Sequence, residues 1–129
     1  MFAFIEGRVE EKRAGELVLN AHGVGYLLLC PASTVAAAPA MGEHMRAYTH
    51  LSVREDAMEL FGFATREERT MFQKLCSVGG IGPRTALGIL SSMPVRDLSI
   101  ALIMGDLTAL SRAPGIGKKT AQRMVLELK

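Results

Sequence analysis

The residues of this chain best suited to chemistry are two copies of Gly-Ile-Gly, at Gly80-Ile81-Gly82 and Gly115-Ile116-Gly117. Cations and a threonine follow each copy: Arg84 and Thr85 after the first, Lys118, Lys119 and Thr120 after the second. The offset, 115 − 80 = 35 residues, makes the second half of the chain a duplicated unit. Such a unit suits an anion. Glycines allow a tight turn and bare its N–H groups, the following helix aims the positive end of its dipole at the same spot, and a basic side chain stands beside it. The central isoleucine should turn inward and lock the hairpin to its helices, leaving about three amides per hairpin aimed at phosphate oxygens. Two such grips fit a polymer with regularly spaced phosphates. Gly80, Gly82, Arg84, Thr85, Gly115, Gly117, Lys118, Lys119 and Arg123 are therefore the candidate DNA contacts. Their amides would fix position without reading sequence, and their cations would add salt-sensitive attraction.

Other chemistries find less support. A P-loop needs Gly, four residues, then Gly-Lys-Ser/Thr; here Lys119 follows Gly117-Lys118, and Arg112 stands where the earlier glycine belongs. Neither Gly23-Val24-Gly25 nor Gly80-Ile81-Gly82 has the third glycine of a dinucleotide fingerprint. His22, His44 and His50 have no ligand spacing with one another or with a cysteine, so neither a metal nor another cofactor is expected. No grouping of Ser, His and Asp, or of Cys and His, suggests a catalytic nucleophile. Cys30 and Cys76, each in apolar surroundings, are expected to be reduced core residues.

A second feature is acidic. Arg54-Glu55-Asp56 is the only material between two strand-like segments, so Glu55 and Asp56 should cap a β-hairpin. Acidic turns are commonly just solvated. On a DNA-binding protein, two carboxylates would repel phosphates and act as a spacer between strands.

The elements that position these groups divide the chain at residues 63 and 64, into a barrel with an acidic pin (1–63) and a tandem helix-hairpin-helix domain (64–129). In the first part, Phe2–Glu11 and Glu16–Asn20 read as strands, and Val24–Cys30 reads as a strand covered on both faces. Pro31–Met41 is a connection with room for one helical turn. Glu43–Val53 alternates, with Met45, Ala47, Thr49, Leu51 and Val53 on one face, and pairs with Ala57–Phe63. Several short strands in this length point to an OB-fold barrel. In the second part, Thr65 with Glu68 has capping-box spacing, and Met71, Phe72, Leu75 and Cys76 share a face. Pro83 begins a helix that turns Ala86, Leu87, Ile89 and Leu90 inward. Asp97–Met104 is a further helix, Thr108 the N-cap of the next, and Lys118–Lys129 an amphipathic helix with Ala121, Met124, Val125 and Leu128 on one face. The predicted class is α+β: an OB-fold β-barrel, then an all-α domain with two helix-hairpin-helix motifs.

Net charge of +2 hides an asymmetry. Residues 1–63 hold five Lys/Arg and eight Asp/Glu, whereas residues 64–129 hold ten and five. The basic half carries the hairpins, which favours a polyanionic partner. No apolar run approaches the roughly 20 residues of a membrane span, and no signal peptide is visible, so a cytoplasmic protein is expected.

These residues together resemble the RuvA family. The resemblance runs the length of the chain, through Met1-Phe2-Ala3-Phe4-Ile5-Glu6-Gly7, Gly23-Val24-Gly25-Tyr26, Arg54-Glu55-Asp56 with Leu60-Phe61-Gly62-Phe63, and the hairpin segments 78–86 and 113–121. It implies a non-catalytic subunit that binds four-way (Holliday) DNA junctions in recombination and repair. It implies a homotetramer, or two of them as an octamer, that holds the junction open and square. Glu55 and Asp56 would be acidic pins at its centre, and the hairpins would hold its arms. The implied partners are the RuvB ATPase, engaged through a C-terminal domain missing from this sequence, and the RuvC resolvase. No Gly, Asn or Pro terminates the last helix before Lys129, which points to a boundary inside a longer protein. Two alternatives stay open: a duplex-clamping module of a DNA repair nuclease or glycosylase, and a protein-interaction adaptor.

Overall fold

Buried residues recur at every second position in three strands of the first half (Ile5, Gly7 and Val9; Leu17 and Leu19; Met45, Ala47 and Thr49), and the strands curl until the first meets the fourth. In a computed structural model, which describes residues 1–128, β1 (Phe4–Arg13), β2 (Glu16–Ala21), β3 (Val24–Leu29), β4 (His44–Arg54) and β5 (Ala57–Phe63) make a closed barrel in the order β1-β2-β3-β5-β4. All pairings are antiparallel except the short one of Leu29 with Phe61 between β3 and β5. This is an OB-like barrel. Ile5, Val9, Leu17, Leu19, Leu28, Met45 and Ala47 fill its core. The β2–β3 loop is His22-Gly23, both at positive φ (53° and 89°), and the Asn20 side chain accepts from the Gly23 amide at 2.9 Å. Two positive φ values match the twist of the flanking strands.

A short helix, α1 (Ala32–Ala37), fills the Pro/Ala-rich connection as expected. The Thr34 hydroxyl, fully buried, accepts from the Ala64 amide at 3.2 Å where β5 leaves the barrel. Next begins α2 (Arg66–Cys76), with Thr65 as its cap. Its hydroxyl accepts from the Glu68 amide at 3.2 Å and donates to the Glu68 carboxylate at 3.4 Å, which satisfies an orphan donor of the first turn. Glu68 also accepts from Ser33 at 2.8 Å.

The chain separates into two compact units, residues 1–69 and the remainder from Thr70. The second is helical: the rest of α2, then α3 (Pro83–Ser92), α4 (Val95–Met104), α5 (Leu107–Ser111) and α6 (Lys118–Leu128). Lys129, the expected last residue of α6, lies outside the described residues. Phe72, Leu75, Ile89, Leu98, Leu110 and Met124 are the largest fully buried side chains of the second unit. Among the described residues no single helix is long and apolar enough to cross a membrane.

Three sequence expectations change. Val24 and Leu27 are half exposed (52% and 49%) and, three residues apart, lie on opposite faces of β3, so the strand is buried on both faces only at its end, Leu28 and Leu29. Val53 shares the face of Met45, Ala47, Thr49 and Leu51 as expected, and it is 62% exposed because the β4–β5 hairpin runs past the barrel rim. Helix α4 starts two residues early, at Val95, because Pro94 takes an extended ψ of 151° and serves as its N-cap. The cap of α5 is Asp106, whose carboxylate accepts from the Ala109 amide at 3.1 Å, which leaves Thr108 inside the helix.

Candidate nucleic-acid interface

Each Gly-Ile-Gly hairpin is built by one glycine that bends, one isoleucine that anchors, and one glycine that stays open. Gly80 and Gly115 bend the chain with φ of +91° and +78°, values L side chains rarely adopt. Ile81 and Ile116 are 5% and 6% exposed, so both anchor inward as the spacing predicted. Gly82 is extended (φ −90°, ψ 175°) and caps α3, with Pro83 in the first helical position. Neither Gly82 nor Gly117 needs positive φ, and a methyl added to either would meet nothing within 4 Å among the described residues. Internal sterics thus do not require glycine at these two positions. The cleared space faces outward.

One expectation about the amides needs correcting. Ile81 N donates to Val78 O at 3.1 Å and Ile116 N to Ala113 O at 3.2 Å, so the central amide of each hairpin closes a turn from the preceding segment. The first helical bonds run from Ala86 N to Gly82 O and from Ala121 N to Gly117 O, both 2.9 Å. Ahead of the α6 ladder therefore lie the amides of Lys118, Lys119 and Thr120. Those of Gly82 and Gly117 are the hairpin amides nearest the helix starts.

The two hairpins pack reciprocally. A methyl on Gly115 would sit 3.6 Å from Thr85 Cγ2, and one on Gly80 would sit 3.9 Å from Thr120 Oγ1. Each motif thus lays its helix-start threonine against the bending glycine of the other. Thr120 was not singled out as a contact, although it follows Thr85 by the same 35 residues. Arg84, Lys118 and Lys119 are exposed beside the hairpins. Arg123 also lies across the repeat: its guanidinium packs against Gly79, where any Cβ would overlap it, and its Nε is 3.6 Å from the Glu127 carboxylate. All nine candidate DNA contacts except Arg123 fall on the hairpins or the first turn after them.

Glu55 and Asp56 stand elsewhere, as the two-residue turn of the β4–β5 hairpin, both exposed. Arg54, expected in that turn, instead joins the ladder opposite Ala57 and lies 3.3 Å from Glu59. On the barrel, the Arg46 guanidinium lies 4.1 Å from the Phe4 ring centre and bonds Glu6 at 2.9 Å, which holds that carboxyl below its usual range. Arg66 and Arg69 lie over the Tyr48 ring at 5.4 and 5.7 Å. The sequence reading missed these ring contacts, because they join residues far apart in the chain. Cys30 is buried, and desolvation pushes its thiol up to about 12; burial also raises Cys76, and both are free thiols. Among the described residues no cluster of His, Cys, Asp or Glu could hold a metal.

Comparison with known proteins follows the same division. Residues 1–62 match the family model described as RuvA N terminal domain, and residues 72–129 match that of a SAM-like helix-hairpin-helix tandem. The whole chain aligns with proteins named Holliday junction branch migration complex subunit RuvA. It is 48% identical to that of Azoarcus sp. (strain BH72), spanning 65% of the relative's length. It is 44% identical to those of Acetivibrio thermocellus and Albidiferax ferrireducens, spanning 64% and 68%. The barrel, the paired hairpins and identity along all of its length establish that the chain belongs to the RuvA family.

Proposed function

We propose that this chain binds four-way DNA junctions as the non-catalytic, DNA-gripping part of a branch-migration complex in recombination and repair. The observation that carries the reading is the pair of open glycines, Gly82 and Gly117. At each, an added methyl would meet nothing within 4 Å among the described residues, and each stands at the start of a helix with cations beside it. A phosphate oxygen entering that space meets an amide, a helix dipole and a positive side chain together. Gly80, Gly82, Arg84 and Thr85 would hold one strand, and Gly115, Gly117, Lys118 and Lys119 the other. Arg123 would hold both hairpins in register and add charge. Reciprocal packing of the two motifs favours this, since it fixes the distance between the grips.

Glu55 and Asp56 serve as the acidic pin. Two exposed carboxylates on a projecting turn repel phosphates, so strands meeting there part instead of closing. The barrel of residues 1–63 would carry the pin, and residues 64–129 the grips. Four copies, or eight in two facing rings, would surround one junction in the cytoplasm. ATP hydrolysis falls to RuvB, engaged through a part of the relatives that this chain does not span, and resolution to RuvC. A gel-shift competition between a four-way junction and linear duplex of the same sequence tests the reading. Junction complexes should survive excess duplex competitor, and equal competition by the duplex would refute junction selectivity.

A further inference from the structure

An apolar pair projects immediately behind the acidic turn. Val53 and Met58 are directly opposite in the β4–β5 register, one step from Arg54 and Ala57, which close on Glu55-Asp56. They are 62% and 73% exposed. Residues directly opposite in a ladder share a face, so the pair shares one with Leu51 and Leu60, and beyond them with Thr49 and Gly62. Deeper in the hairpin this face is buried (Thr49 2%, Ala47 0%); at Leu51 and Leu60 it is half buried; at Val53 and Met58 it is open. The hairpin's other face carries Ser52 and the Arg54–Glu59 ion pair. Beyond the rim, then, the hairpin has one apolar face and one polar face, joined by a carboxylate tip.

We propose that Val53 and Met58 form a contact surface for the face of a DNA base unstacked at the branch point. This rests on the reading that the acidic turn enters the junction. The neighbouring charges select the occupant. A phosphate is repelled by Glu55 and Asp56. A base face carries no net charge, is flat, and gains from contact with a soft thioether and a branched aliphatic group. Cross-strand neighbours lie about 5 Å apart at Cβ, giving a patch that suits a single base. The two halves of the tip therefore divide the work: carboxylates turn the backbone aside, and the apolar pair covers the base exposed when it turns.

The test uses the full chain and a four-way junction with 2-aminopurine at the crossover base pair, whose fluorescence rises when that base leaves the stack. Wild-type protein should raise the signal, and V53S/M58S should lose most of that rise while binding the junction with affinity within a few fold of wild type. Both positions are exposed, so the variant should fold, which circular dichroism checks. Equal fluorescence from the two proteins at saturation would overturn the inference and leave junction binding standing. A variant that loses self-association, seen by sedimentation, would identify a second copy as the occupant and also overturn it. Failure of the wild type to prefer the junction over linear duplex would instead remove the parent reading.

Discussion

Replacing Gly82 and Gly117 by alanine separates what the hairpins need for folding from what a phosphate needs for access. Gly82 has φ −90° and ψ 175°, a backbone conformation alanine adopts freely, and at both sites the added methyl meets nothing within 4 Å among the described residues. Alanine caps a helix about 1 kcal/mol less well than glycine, but it also restricts the unfolded chain by a comparable amount, so each change should move stability by no more than about 1 kcal/mol. On the ligand side the methyl occupies the space through which a phosphate oxygen reaches the amide. One charge-assisted hydrogen bond is worth about 1.5–3 kcal/mol, so each substitution should weaken DNA binding roughly 10- to 100-fold. Thermal denaturation reads the first quantity and gel-shift titration the second. By contrast, Gly80→Ala and Gly115→Ala place a side chain at φ of +91° and +78° and should cost about 1–2 kcal/mol of stability each, so that thermal stability falls along with binding. Wild-type affinity in G82A/G117A would refute the idea that these glycines exist to admit a ligand.

Three other outcomes are expected. K118E/K119E should weaken binding to junction and linear duplex alike; its slope of log affinity against log salt should flatten by about 0.9 for each phosphate that the protein no longer neutralises. E55Q/D56N should bind junctions as tightly as wild type or more tightly while altering strand separation at the crossover, measured by permanganate reactivity of thymines there; a large drop in affinity would make the turn structural. The Cys30 thiol, with its pKa pushed up to about 12 by burial, stays protonated at any pH below that value, so a disulfide reagent at pH 8 should modify it only once the protein is unfolded.

How much of this was legible in the sequence depends on whether a single residue type forces the outcome. The segment Ala57–Phe63 was read to its ends because charged residues stop it at one side and Thr65 caps a helix at the other. Pro83 marked the first residue of α3, since a proline there loses no hydrogen bond. Asp106 and Thr108 are both good caps two residues apart, and only the folded geometry decides which carries the bond to Ala109. The exposed start of β3 was hidden because Val24 and Leu27 are apolar although both meet solvent. Within the candidate interface, the repeat itself was plain. Invisible in it was the difference between its two glycines, one bending at positive φ and one merely open, because composition is the same for both. The placement of Thr85 and Thr120 on the opposite hairpins needed one repeat packed on the other, which no single-chain spacing states.

If amides at the hairpin–helix junctions receive phosphate oxygens, backbone ¹⁵N–¹H spectra recorded while titrating a short duplex will register it residue by residue. Amide resonances of Gly82, Gly117, Lys118 and Lys119 should move as complex forms, and those of barrel-core residues such as Leu19 and Leu28 should stay in place. Complex formation with the hairpin amides unmoved, and the shifts gathered on the barrel instead, would show that DNA is held somewhere else.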